Sequence, residues 1–187
     1  MHPALLIIDI QNDYFPGGAM ELVGSNAAAR NAAQLLAAFR ARNRPVIHVQ
    51  HIATEADAPF FRAGTTGADM HPDVTPQPHE IVVQKHYPNS FRETTLLQQL
   101  QALKVDSLVI VGMMTHMCVD SSVRAAADLG FECRLAHDAC ATCNLAANGR
   151  TVSAADVQAS FIAALDGTFA TVHSTSTFLH ALENNTQ

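Results

Sequence analysis

The chain has 187 residues, 48% of them hydrophobic and 15% charged. That composition is too apolar for disorder, and the length lets one domain spanning 1–187 bury a sizeable core. A net charge of −6, a pI near 5.9 and Lys and Arg scattered without a basic stripe argue against nucleic acid or an anionic membrane surface as partner.

The elements alternate along the chain. The first strand is "ALLIID" (4–9), followed by an Ala/Leu-rich helix at 26–42 that Ser25 can cap. "PVIHVQ" (45–50) is the second strand. A long irregular segment from about Ile52 to His79 leads to the third strand, "EIVVQK" (80–85). A helix over 93–103, a strand "SLVIVG" (107–112), a helix from 117 to Gly130 and a strand "FECRLAHD" (131–138) follow. Ser153 can cap a helix over 154–165; a sixth strand (169–174) and a last helix (176–183) close the series. Runs buried on both faces that alternate with helices imply α/β architecture, a six-stranded, mostly parallel sheet with helices on either side. No apolar run approaches the roughly 20 residues of a membrane span. "MHPALLIIDIQ" has neither the basic start nor the cleavage site of a leader, and four cysteines are too few for a disulfide scaffold, so the cytoplasm is the expected compartment.

In open α/β sheets ligands bind beyond the carboxyl ends of the strands. Strand one ends in Asp9, strand three in Lys85, and the fourth runs through Gly112 into "GMMTHMCVD", which carries Cys118. Singly, these are a turn residue, a solvated lysine and a small buried hydrophobe. Together they have a coherent task. A free thiol of pKa ~8.5 is only a few per cent thiolate at neutral pH; a helix N-terminus and a nearby ammonium favour the thiolate. Asp9 can take the thiol proton and later give it to a leaving amine.

Four stretches resemble, in order, the motifs of the isochorismatase-like cysteine hydrolase superfamily, which includes nicotinamidases, N-carbamoylsarcosine amidohydrolase and isochorismatase. They are "LLIIDIQNDYF", "QKHYPNSFRETTLLQQL", "VIVGMMTHMCVDSSVRAAADLG" and "HDACAT". The resemblance implies a three-layer α/β/α, Rossmann-like fold and an Asp9–Lys85–Cys118 triad. It also implies a non-proline cis peptide between Met113 and Met114, and an oxyanion hole made by the backbone N–H groups of Met114 and Cys118. Amide-cleaving members form a thioester on the cysteine; the isochorismatases compared lack it and cleave a vinyl ether by protonation. Retention of Cys118 therefore favours C–N hydrolysis of a small amide or carbamoyl compound. The alternatives are vinyl-ether hydrolysis and a catalytically idle binding protein on the same fold. Relatives are usually homodimers or tetramers, so a homo-oligomer acting on a small molecule is expected.

Other features point less sharply. Phe15 follows the first motif and lines the pocket in relatives; Phe60, Phe61 and Arg62 can reach it from the long loop, and Arg62 can pair with a substrate carboxylate. Tyr87, Asn89, Met114 and His116 adjoin motif residues. The metal motif of nicotinamidases is missing: His48 and His51, three apart on a strand, face opposite ways, and Asp57 and His71 lie in the irregular loop. These residues are read as structural or surface groups, with no metal and no organic cofactor. Cys140 and Cys143 form a C-x-x-C read as structural, with a thiol redox role as its rival.

Overall fold

A computed structural model describes residues 2–55 and 57–184. Six strands form one sheet, β1 (Pro3–Ile8), β2 (Val46–His51), β3 (Ile81–Lys85), β4 (Ser107–Met113), β5 (Glu132–Ala141) and β8 (Thr171–His173). Their order is β3-β2-β1-β4-β5-β8 and every pairing is parallel. Helices α1 (Ser25–Ala41) and α5 (Thr175–Asn184) cover one face; α2 (Leu96–Ala102), α3 (Asp120–Asp128) and α4 (Ala154–Leu165) cover the other.

The two cores follow from strand alternation. Leu5 and Ile7 of β1 pack with Ala32, Leu36 and Phe39 of α1. Ala4, Leu6 and Ile8 pack with Leu100 of α2, Val123 of α3 and Leu165 of α4. Strands buried on both sides explain the uninterrupted "ALLII" and "LVIV" runs. Among the described residues no helix is long and apolar enough to cross a membrane.

Several boundaries differ from the sequence expectation. Gly24, in a left-handed conformation, precedes α1; Ser25 is its first residue, buried, and makes no capping bond. Ser153 does cap α4, accepting from the Asp156 N–H. β5 runs on through Ala141, so "DAC" is strand. A hairpin of β6 (Leu145–Ala147) and β7 (Arg150–Val152) lies between β5 and α4, outside the six expected strands. Its turn is Asn148-Gly149 with φ of 52° and 72°, the left-handed pair an Asn-Gly hairpin turn requires.

The amino-terminal ends of β2 and β3 hold a polar knot. Glu80 accepts from Arg40 Nε (2.8 Å) and Nη2 (2.7 Å), from the Gln77 N–H (2.8 Å) and from His48 Nε2 (3.0 Å). Burial raises the Glu80 pKa, but these donors outweigh it and hold the carboxyl at about 2. Burial also keeps His48 below its usual range and hence neutral.

Candidate active site

The carboxyl edge of the sheet gathers the reactive groups. Alternation would send the Asp9 side chain toward α1, the face of Leu5 and Ile7. Asp9 instead has φ 51°, a left-handed conformation that Asp tolerates better than most residues. The turn breaks the alternation, and Asp9 Oδ2 lies 2.6 Å from Lys85 Nζ, both side chains fully buried. Neither Asp9 oxygen has a hydrogen-bond partner among the described residues, and Oδ2 is held by the ion pair with Lys85.

Lys85 ends β3 opposite His51, the last residue of β2, in the parallel register, so both project to one face. Lys85 Nζ donates to Cys118 Sγ at 3.2 Å and lies 3.0 Å from His51 Nδ1. A lysine ammonium can only donate; His51 Nδ1 is therefore the acceptor and the ring proton sits on Nε2. Burial and the neighbouring ammonium lower the His51 pKa to about 4, which leaves the ring neutral near pH 7.

Cys118 lies in a single π-helical turn, Thr115–Val119, that feeds directly into α3. Such turns concentrate at functional sites. The turn starts after β4 at a cis peptide between Met113 and Met114. β4 can make this bend because residue 112 is glycine. Its φ is 145°, and a Cβ there would overlap the carbonyl oxygen of Ile8 in β1.

Electrostatics assign the resting protons. Burial disfavours the Lys85 charge, but Asp9 and Cys118 outweigh it and the pKa is raised. Burial, then Asp9, push the Cys118 thiol up, with Lys85 pulling the other way. Two acids share one fixed cation. The second anion has no partner, so the sulfur keeps its proton at rest and the Lys85 pull toward thiolate is outweighed.

Asp9, His51 and Cys118 each present a donor atom within 4.8 Å of the others, a spacing that suits a metal ion. The Lys85 ammonium, however, reaches all three groups at 2.6–3.2 Å. An ion bridging them would have to displace a buried cation, so this donor set does not fit a metal while Lys85 is in place. His71 lies elsewhere, stacked on Phe15 (ring centroids 3.7 Å), and Asp57 is exposed. His48 and His51 do face opposite ways, into the Glu80 knot and the triad respectively.

Of the expected pocket residues, Phe15, Phe61 and Met114 are buried in one cluster, with Phe60 against it. Phe61 has φ 58°, and its N–H donates to Asp13 Oδ2 at 2.7 Å. Its ring lies 4.6 Å from Tyr14 and 5.8 Å from His51, so this part of the long loop packs against both. Arg62 is exposed. Tyr87 is half-buried beneath the Arg92 guanidinium, 3.6 Å from its ring. His116 bonds Thr142 Oγ1 at 2.6 Å, and the Asn89 side chain accepts from the Phe91 N–H. These four are not drawn into the cluster. Cys140 is buried in β5 with its thiol pushed up to about 12, and all four cysteines are free.

Three further residues belong to the site. His51 touches Lys85 directly. Gln11 clamps the His51 main chain from both sides, accepting its N–H and donating to its C=O at 2.8 and 2.9 Å. Tyr14 is buried close enough that Cys118 and Asp9, added to burial, raise its phenol pKa. The signal for His51 was the shared end of two adjacent parallel strands, which requires the sheet order.

A parallel α/β sheet with a carboxylate, an ammonium and a thiol buried at its carboxyl edge defines a class of hydrolytic enzymes. The Isochorismatase domain model matches residues 3–177, and the chain belongs to the isochorismatase family of hydrolases. It is 49% identical to the uncharacterized isochorismatase family protein YddQ of Bacillus subtilis, over 96% of this chain and 99% of that one. A crystal structure assigned to the isochorismatase hydrolases from Oleispira antarctica superposes with a TM-score of 0.93 at 51% identity, covering 96% of each chain. Maleamate amidohydrolase of Pseudomonas putida is 34% identical over 69% of this chain and 67% of its own.

Proposed function

We propose that this hydrolase cleaves the C–N bond of a small amide or carbamoyl compound through a thioester on Cys118. The observation that carries the reading is the Lys85 ammonium held between Asp9 and the Cys118 sulfur. It supplies one positive charge for whichever of the two acids is ionised, so a proton can pass between them without leaving a second buried anion.

In this mechanism Sγ attacks the substrate carbonyl carbon as its proton moves to Asp9. The N–H groups of Met114 and Cys118 receive the developing oxyanion, a contribution worth about 3–4 kcal/mol per well-placed donor in other acyl-transfer sites. Asp9 hands the proton to the departing nitrogen. Water then loses a proton to Asp9 and attacks the thioester, releasing the acid and restoring the thiol. Phe15, Phe60 and Phe61 wall the substrate, and no cofactor is required. The named relative with amidohydrolase activity supports the bond type. A cytoplasmic setting and a homo-oligomeric assembly complete the proposal; four free thiols support the first, family resemblance the second.

The test is ammonia release across a panel of small amides, ureas and carbamoyl amino acids, with intact mass for the covalent adduct. Wild type should turn over at least one compound and carry the adduct; Cys118→Ala should do neither. Activity retained in Cys118→Ala but lost in Asp9→Asn would replace the thioester route by vinyl-ether protonation.

A further inference from the structure

Lys85 has three N–H bonds and three acceptors around it: Asp9 Oδ2 at 2.6 Å, His51 Nδ1 at 3.0 Å and Cys118 Sγ at 3.2 Å. We infer that His51 is a positioning residue, the neutral third leg of a tripod that fixes the rotation of the Lys85 ammonium so that one N–H points at the nucleophilic sulfur. The inference rests on the reading of Cys118 as nucleophile.

Geometry explains why a histidine suits this place. The His51 backbone is fastened on both sides by Gln11, and Phe61 packs against the ring. The ring is therefore rigidly placed before it meets the lysine. A carboxylate in the same place would add a second anion beside Asp9 and pull the ammonium away from sulfur. An aliphatic side chain would leave a buried N–H unpaired. That N–H has another outlet: Asp9 Oδ1, which has no partner. Without the His51 leg, the ammonium rotates to grip both carboxylate oxygens and its hold on Sγ weakens. The ionisable groups around the ring are Lys85 at the end of β3, Asp9 after β1, and Cys118 in the π-turn, with His86 and Glu55 further out.

The test is the pH dependence of Cys118 alkylation by iodoacetamide, followed by intact mass with Cys118→Ala as the blank. No substrate is needed, so a failed amide screen leaves it standing. Below the thiol's own titration range, His51→Leu should slow alkylation about tenfold at each fixed pH, the equivalent of a one-unit rise in the thiol pKa. His51→Asn, whose Oδ1 can replace Nδ1 as acceptor, should return most of the lost rate. A rate unchanged in His51→Leu, or lowered equally in His51→Asn, would overturn the tripod. Should the leucine variant fail to fold, ¹⁵N spectra of wild-type histidines decide: Nε2–H at His51 near pH 7 is required, and an Nδ1–H tautomer or an imidazolium is incompatible with a lysine donor.

Discussion

β2 carries two histidines three residues apart, and they serve two different kinds of polar cluster. His48 joins Arg40 and Glu80, where four donor bonds fall on two carboxylate oxygens. His51 joins Lys85, Asp9 and Cys118, where Asp9 Oδ1 accepts nothing and a protonated thiol faces an ammonium. The first cluster saturates its carboxylate, although His48 Nδ1 has no partner among the described residues, and it serves to hold β2, β3 and α1 together. The second has an idle lone pair and a displaceable proton, the features a reaction can use. Residue type does not separate them; how fully the carboxylate is hydrogen-bonded does.

The sharpest way to break the comparison is to remove one member from each cluster. Cys118→Ala should lower amide turnover by at least about a thousandfold, as loss of a nucleophile does elsewhere, while thermal unfolding changes by no more than about 1–2 kcal/mol for a small buried truncation. Glu80→Gln should do the opposite. Stability should fall by about 2–3 kcal/mol, since Arg40 loses a charged acceptor in a mostly buried site, with kcat within a factor of about two because the knot lies at the other end of the strands. An equal loss of activity in both variants would mean the clusters are coupled through β2.

pH gives a milder contrast. The Glu80 pKa is lowered from 4.5 to about 2 in the folded protein. Its contribution to stability is therefore fully present above the unfolded value and is lost as pH falls from 4.5 toward 2. The acid unfolding curve of Glu80→Gln should converge on that of wild type across this window. The smallest effect is expected at Arg62. It is exposed and outside the aromatic cluster, so Arg62→Ala should leave KM within about threefold, the scale of an exposed charge contact.

Asp9 and Lys85 stand out in the sequence as polar residues closing apolar strands, and Cys118 as a thiol in the segment leaving β4 six residues after Gly112; the structure brings the three side chains together. The same logic located the sheet and five of its helices. What it did not reach depends on partners distant in sequence. His51 becomes a site residue only when β2 and β3 are known to lie side by side with 51 opposite 85. Gln11 acts through the main chain of a residue forty positions away. The Asn148-Gly149 turn of the β6–β7 hairpin is a local signal, but its strands of three residues each are too short to stand out as apolar or alternating runs. Arg62 is expected to reach the pocket from the long loop with Phe60 and Phe61, but it is exposed, outside the cluster that holds the two rings.

Gly112 has a bearing on how this site can change over time. Its α-hydrogen faces the Ile8 carbonyl, one residue before Asp9, and six residues before Cys118. The approach of β1 to β4 just before the acid is thus set by contact between two main chains, with no side chain at residue 112 to be trimmed or enlarged. Exchanging Phe15, Phe60 or Phe61 would reshape the aromatic cluster beside the site. The approach of the two strands has no such adjustable part, and a lineage that widened it would have to rebuild the meeting of β1 and β4.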